Sequence, residues 1–148
     1  MIGAGGTTKS ILPSIIDAGP KNITLTNRTD KKAESLRDAF LHLFQIDCVS
    51  GEKIDRNYDV VINTTSSQLS NTVPSVSTIA IKGADSYDVN YSWQQTLFQS
   101  WSNDNGSSTA LQGWGMLVEQ AAESFSIWRG VRPATSNVVD RLRAEVEN

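Results

Sequence analysis

Hydrophobic and polar positions along the chain fall into two alternating patterns. Short apolar runs typical of strands cover residues 22–26, 46–49, 58–62, 84–89 and 109–111. Between them lie segments with apolar residues every three or four positions, which predict helices before Gly19, over 30–44, 93–104 and 114–128, and from Pro133 onward. This alternation with short links predicts an α/β fold with a doubly wound, mainly parallel sheet of about six strands.

A glycine-rich loop opens the chain, with Gly3, Ala4, Gly5, Gly6 and Thr7 preceded by Met1 and Ile2 alone. In a Rossmann-like βαβ unit such a loop joins the first strand to a helix whose N-terminal N–H groups face a pyrophosphate. We therefore expect a truncated first strand and a missing segment before it. Thr8 stands where the fingerprint usually has glycine or alanine, so a tight turn without a ligand stays open as an alternative.

The end of the second predicted strand carries Asn27, Arg28 and Thr29, followed by Lys32. Sites specific for NAD usually have a carboxylate here to accept hydrogen bonds from the ribose 2′-OH. A guanidinium with a second cation instead suits a 2′-phosphate, so the expected cofactor is NADP(H). Helix capping by Thr29 or Asp30, with the cations on a solvated face, is the competing interpretation.

Two more polar clusters, residues 63–67 and 88–91, follow predicted strands. Because ligands of such sheets bind beyond the carboxyl ends of the strands, these clusters, the glycine loop and residues 27–29 define one candidate crevice.

Composition narrows the class of protein. The 148 residues carry a net charge of −3 with both signs spread along the chain, and there is a single cysteine. We expect one domain over residues 1–148, with no nucleic-acid partner, no disulfide and no metal site. No apolar run approaches a membrane span and no signal peptide is recognisable, so no membrane partner and a cytoplasmic location are expected.

Five ordered motifs resemble the NADP-binding C-terminal domain of the shikimate dehydrogenases, over essentially the whole chain. The first two are a phosphate loop (residues 3–9) and a 2′-phosphate signature (27–32). The third is the segment Asp-Val-Val-Ile-Asn-Thr-Thr-Ser (59–66), where the family has Ala in place of Thr64. The last two are a strand end Tyr-Asp-Val-Asn-Tyr (87–91) and a nicotinamide-side helix Gly-Trp-Gly-Met-Leu-Val-Glu-Gln (113–120).

The resemblance implies reversible NADP(H)-dependent reduction of 3-dehydroshikimate to shikimate, a step toward chorismate and the aromatic amino acids. It implies cofactor contacts by Gly3, Ala4, Gly5, Gly6, Thr7, Asn27, Arg28, Thr29, Lys32, Asn63, Thr64, Thr65, Ser66, Val89, Gly113 and Met116. Met116 could equally be plain core packing. No catalytic residue is assigned, because the family's Lys–Asp acid/base pair belongs to an N-terminal substrate domain absent from this sequence.

Tyr91 and Gln120 are the expected substrate contacts. Ring packing at a strand end and a solvated helix face are their respective alternatives. Three residues depart from the family pattern: Ser10, Gln68 where glycine is usual, and Gln112 where aspartate is usual.

Three functional hypotheses follow. In the first, the chain is part of a shikimate dehydrogenase, is inactive alone, and packs its C-terminal helices (about 114–147) toward the missing substrate domain. In the second, it is a free-standing NADP-binding module. In the third, it belongs to a related enzyme of the quinate dehydrogenase type. We expect marginal stability in isolation, and a homodimer stays open.

Overall fold

The computed structural model describes residues 1–146. Strands and helices alternate along this part of the chain. The order is helix α1 (Gly6–Asp17), strand β1 (Ile23–Leu25), helix α2 (Asp30–Phe40), strand β2 (Ile46–Cys48), strand β3 (Val60–Asn63), strand β4 (Asp85–Asp88), helix α3 (Leu97–Asp104), strand β5 (Thr109–Gln112), helix α4 (Trp114–Arg129) and helix α5 (Ser136–Val146).

The segment Met1–Gly3 joins two groups of parallel strands, β1–β2 and β3–β4–β5. Ile2 forms parallel bridges to Thr26 on one side and to Asn63 on the other. The spatial order is therefore β2-β1-Ile2-β3-β4-β5, with the chain winding outward first to one side of Ile2 and then to the other. This confirms the predicted Rossmann-like parallel sheet, with the first strand reduced to one bridging residue.

Two hydrophobic clusters stabilise the sheet. Leu12 of α1 and Phe40 of α2 cover β1 and β2 in a cluster with Ile23, Leu25, Ala33, Leu36 and Ile46. The second cluster surrounds Ile2, Val61 and Phe98, and includes Ile81 and Ala84. Apart from Ile2 and Ile81, these residues lie in the strands and helices that the apolar pattern predicts.

Three helices are shorter than the periodicity predicts. Helix α2 ends at Phe40 rather than at residue 44, since Leu41 and Leu43 are mostly exposed and gain nothing from continuing the helix. Helix α3 begins at Leu97 because the Thr96 hydroxyl accepts a hydrogen bond from Gln99 N–H and caps it there. Helix α5 begins at Ser136, three residues after Pro133.

Helices α4 and α5 contact each other, and charged and polar side chains of the link between them bond to α4. Arg132 donates to Glu119 (2.8 Å) and to Glu123, and the Thr135 hydroxyl donates to Glu119. The Thr135 hydroxyl and the Arg132 guanidinium hold the pKa of Glu119 below its ordinary value.

The apolar stripe predicted on α4 is largely uncovered. Within α4, whose residues are all described, Ala122 alone is buried, whereas Phe125 is 45% and Trp128 79% exposed. Of the helices in residues 1–146, none has the length and apolar content to cross a membrane.

We predict that Leu12→Ala lowers the free energy of unfolding by about 2–5 kcal/mol, because a fully buried side chain leaves a cavity between α1 and β1. Leu43→Ala, at a position 54% exposed, should change it by less than about 0.5 kcal/mol. Urea denaturation followed by circular dichroism measures both values, and equal losses would contradict the assignment of the core.

Candidate nucleotide-binding site

A cavity of about 770 Å³ lies at the carboxyl edge of the sheet, beside Ile2. The glycine loop, the residues after β1 and the residues after β3 form much of its wall. Ten of the predicted cofactor contacts line it: Gly3, Ala4, Gly5, Asn27, Arg28, Thr29, Lys32, Thr64, Thr65 and Ser66. The fold thus brings three motifs that are far apart in the sequence to one opening.

The glycine loop packs closely against Thr64 at Gly3, whereas the space beside Gly5 and Gly6 is open. Gly3 has φ +107°, and a Cβ there would stand 2.5 Å from Thr64 Oγ1. A Cβ at Gly5 or Gly6 would meet nothing within 4 Å. Helix α1 begins at Gly6, so the N–H groups of its first turn, including Thr7, have no acceptor within the helix. These donors and the positive end of the helix dipole suit an anion.

Thr8 and Thr64 form a buried hydroxyl pair beneath the loop. Their Oγ1 atoms are 2.6 Å apart, with Thr8 Oγ1 also 2.8 Å from Gly3 O and Thr64 Oγ1 2.9 Å from Ile2 O. Two hydroxyl protons serve three short contacts, so one hydroxyl donates to the other and the second donates to a loop carbonyl. Thr8, at the unusual third fingerprint position, therefore has a hydrogen-bond partner in Thr64.

Asn27 ties the end of β1 to the glycine loop. Its Oδ1 accepts from Ala4 N–H at 3.1 Å and its Nδ2 donates to Thr29 O at 2.9 Å. The Thr29 side chain makes no capping hydrogen bond to α2, so that part of the capping interpretation is wrong. Asn27 instead holds the loop that carries Arg28.

Arg28 and Lys32 are exposed cations on the cavity wall, whereas neighbouring Lys31 does not line it. Within the part of the chain that the structure describes, neither Arg28 nor Lys32 forms an ion pair. Both charges are available to an anionic group in the cavity.

The opposite wall was not foreseen from the sequence. It is formed by Ser50–Glu52 and by residues 72–76. Ser75 Oγ donates to Glu52 Oε1 at 2.6 Å, and Ser77 N–H donates to Gly51 O at 3.0 Å. A Cβ at Gly51 would overlap Ser75 O, so the glycine three residues after β2 was the available signal.

Asn63 lies under the site and does not line it, which corrects the expected direct contact. The residue is fully buried; its Nδ2 donates to Asp88 Oδ1, and its Oδ1 accepts from Thr65 N–H and Thr65 Oγ1. Asp88, 1% exposed, also accepts from the Thr96 hydroxyl and from Asn90. These hydrogen bonds compensate the buried carboxylate, and Asn63 acts on the cavity by orienting Thr65.

Gly6 and Thr7 begin α1 and do not line the cavity, and the other predicted residues lie outside its wall, after β4 or from the end of β5 into α4. Gly113 N–H donates to Asn90 O at 2.9 Å, and a Cβ on Gly113 would overlap Val89 O. Met116 N–H donates to Tyr87 Oη at 3.3 Å, Tyr91 packs on Trp114, and Gln120 is exposed on α4. Gln68 is one of the three residues that depart from the family pattern. Its Oε1 accepts a hydrogen bond from Leu97 N–H and so binds the N-terminus of α3.

A parallel sheet with a phosphate-type loop after its central strand and unpaired cations after the next strand defines a Rossmann-like α/β domain. The family model described as "Shikimate / quinate 5-dehydrogenase" matches residues 1–80, and that described as "Shikimate 5'-dehydrogenase C-terminal domain" matches residues 113–143. The chain belongs to the shikimate/quinate dehydrogenase family.

Curated relatives are similar over nearly the whole chain. Shikimate dehydrogenase (NADP(+)) of Vibrio cholerae is 38% identical, and that of Vibrio campbellii 40% identical, over 148 residues that make up 99% of this chain and 53% of each relative. The chain spans about half the length of the curated relatives it matches.

Two solved structures show the same fold. An Ael1 enzyme from Pseudomonas putida has a TM-score of 0.87 and 34% identity, covering 95% of this chain and 52% of that one. A shikimate dehydrogenase in complex with NADP+ has a TM-score of 0.75 at 23% identity, covering 98% of this chain and 53% of that one.

We predict that Thr8→Val and Thr64→Val are energetically coupled. Each substitution keeps the volume and removes one hydroxyl, and should lower the free energy of unfolding by about 1 kcal/mol. The double variant should lose less than the sum of the two by at least about 0.5 kcal/mol, since either single change already breaks the shared contact. Urea denaturation of all four proteins measures this difference.

Ser10→Ala is the matched control, because the Ser10 hydroxyl bonds only to Gly6 O on the exposed side of α1. Combined with Thr64→Val it should be additive. Additive losses for the Thr8 and Thr64 changes as well would contradict the coupled pair.

Proposed function

We propose that this chain is the NADP(H)-binding part of a shikimate dehydrogenase, which reversibly reduces 3-dehydroshikimate to shikimate in the synthesis of chorismate and aromatic amino acids. The observation that carries the proposal is that Arg28 and Lys32, which form no ion pair within residues 1–146, lie on the wall of a cavity that begins at a glycine loop. Family membership supplies the reaction, and the Vibrio relatives are named as NADP(+)-dependent.

The residues present fit a phosphorylated dinucleotide. The loop offers open space at Gly5 and Gly6 and donors at the start of α1, which suits a pyrophosphate. Arg28 can grip a 2′-phosphate with two parallel hydrogen bonds and Lys32 adds a second charge. Arg28 occupies the position where a carboxylate would favour a free ribose 2′-OH, and the acidic residues Asp30 and Glu52 also line the cavity.

The chemistry divides between the cofactor and the protein. When bound, the nicotinamide supplies or accepts the hydride. Thr64, Thr65 and Ser66 line the cavity at the end of β3, where they would bind along the cofactor. In this proposal Val89, after β4, and Gly113 and Met116, at the start of α4, bind the nicotinamide side. The proposed substrate contacts are Tyr91, in the segment after β4, and Gln120, on α4.

In this proposal the acid that protonates the substrate oxygen lies outside residues 1–146. Among residues 1–146 no lysine forms an ion pair with an aspartate, whereas the family resemblance places such a pair in a second domain. The exposed Phe125, Ile127 and Trp128 of α4 favour packing against that domain. In this proposal the 148 residues act in the cytoplasm as the cofactor half of a larger enzyme.

A cofactor module without catalysis of its own is the second candidate. The observation in its favour is that no lysine forms an ion pair with an aspartate among residues 1–146. A quinate-type enzyme that uses NAD is disfavoured by Arg28 and Lys32, since a guanidinium at this position gains little from a ribose 2′-OH.

We predict that calorimetric titration gives tighter binding of NADP+ than of NAD+, and that Arg28→Ala weakens NADP+ binding by about 10- to 100-fold, corresponding to one charge-assisted contact. NAD+ binding should change little in the same variant. Equal losses for both nucleotides would contradict a 2′-phosphate site at Arg28.

A matched pair of lysines tests the second cation. Lys32→Ala should weaken NADP+ binding several-fold, and the loss should shrink at high salt because the charge is exposed. Lys31→Ala changes the net charge equally at a position off the cavity wall, and should leave the affinity unaltered.

We further predict that the purified chain binds NADP+ but shows no detectable reduction of NADP+ by shikimate or quinate, as followed at the absorbance of NADPH. The physical reason is the missing proton-transfer pair. Turnover with shikimate would contradict this part of the proposal and would make the six lysines of the chain candidates for the proton donor.

A further inference from the structure

The segment 90–96 links β4 to α3 without regular secondary structure and carries Tyr91. Its backbone is held largely by residues at the end of β5 and the start of α4. Gly113 N–H donates to Asn90 O at 2.9 Å, and Trp114 Nε1 donates to Ser92 O at 3.3 Å. The conformation of the segment is therefore imposed from outside.

Gln112 makes two of these contacts with the two ends of one amide. Its Oε1 accepts from Ser92 N–H at 2.8 Å, and its Nε2 donates to Gln94 O at 3.2 Å. The side chain is 8% exposed, so these bonds are little weakened by competing water. An aspartate at this position would be shorter, and when ionised it would have no proton to donate to Gln94 O.

Three aromatic rings complete the arrangement. Trp114 stands between Tyr91 and Trp93, with ring centroids 4.8 Å and 4.9 Å away. Tyr91 is 45% exposed and Trp93 59% exposed, so neither ring is fixed by burial alone. Ser92 lies between them, and its backbone is bonded on both sides, to Gln112 and to Trp114.

We propose that Gln112 is a positioning residue that sets the orientation of Tyr91 by clamping Ser92 and Gln94 with both ends of its side-chain amide. The importance of Tyr91 for the substrate rests on the proposed function, whereas the clamp itself does not. The requirement for a donor and an acceptor at once makes glutamine, rather than a residue of similar size, necessary here.

The test uses 3-fluorotyrosine incorporated into the whole chain, which contains three tyrosines. Fluorine NMR gives one line for each of Tyr58, Tyr87 and Tyr91, assigned by single Tyr→Phe variants. In the native protein the Tyr91 line should be displaced from the position of a free tyrosine by the nearby Trp114 ring. Gln112→Met keeps the side-chain length without either hydrogen bond, and should move the Tyr91 line toward the free position.

Gln112→Glu is the second variant, since it keeps the acceptor for Ser92 N–H but turns a carboxylate oxygen toward Gln94 O. It should displace the Tyr91 line in the same direction, with the remote Tyr58 line unmoved in both variants. Gln95→Glu adds the same charge at an exposed neighbouring position that takes no part in the hydrogen bonds of the clamp, and should leave all three lines in place.

The proposal is overturned if Gln112→Met leaves the Tyr91 line at its native position, because the side chain then only fills space. It is also overturned if the Tyr58 line moves together with that of Tyr91, which would indicate general loosening. NADP+ titration of the native protein is read separately, so failure to bind the cofactor would refute the proposed function without affecting the result for the clamp.

Discussion

The pairing of Met1–Gly3 with strands on both of its sides is the constraint on which the rest of the structure depends. Ile2 N–H donates to Ile62 O, Gly3 N–H donates to Thr26 O, and Thr64 N–H donates to Ile2 O, each at 2.8 Å. These hydrogen bonds join β1–β2 to β3–β4–β5 and bring the polar residues after β1 and β3 next to the glycine loop. The cavity exists because these two strand ends meet beside one short segment.

Three further polar clusters hold the carboxyl edge in place. Thr8 and Thr64 lie beneath the glycine loop, Asn27 links that loop to the end of β1, and Asp88 joins the ends of β3 and β4 to the start of α3. The side chains of these clusters form hydrogen bonds with other protein atoms, and each cluster fixes the position of a residue that faces the cavity. Much of the polarity at this edge therefore supports the site from below, as expected where buried polar groups must find partners.

Much of the fold and part of the site could be predicted because the signals are local. Apolar periodicity located β1–β5 and α1–α5, and the preference of Arg28 for a phosphate follows from its charge alone. The start of α3 was missed because distant partners decide it: Ser92 and Gln94 are bonded to Gln112 and Trp114, and the segment before Thr96 does not extend the helix. The wall at Ser50–Glu52 and residues 72–76 was missed because neither segment has a local pattern that indicates the other.

The sequence by itself determined the order of strands and helices, the parallel sheet and the identity of the groups at each strand end, since these follow from spacing and side-chain chemistry. Only the tertiary structure decided which of those groups face the cavity. Asn63 and Thr65 are two residues apart in one polar cluster, yet Asn63 is buried against Asp88 while Thr65 lines the opening. The reason is physical: a buried polar side chain turns toward whichever partner compensates its desolvation, and that partner lies on another strand.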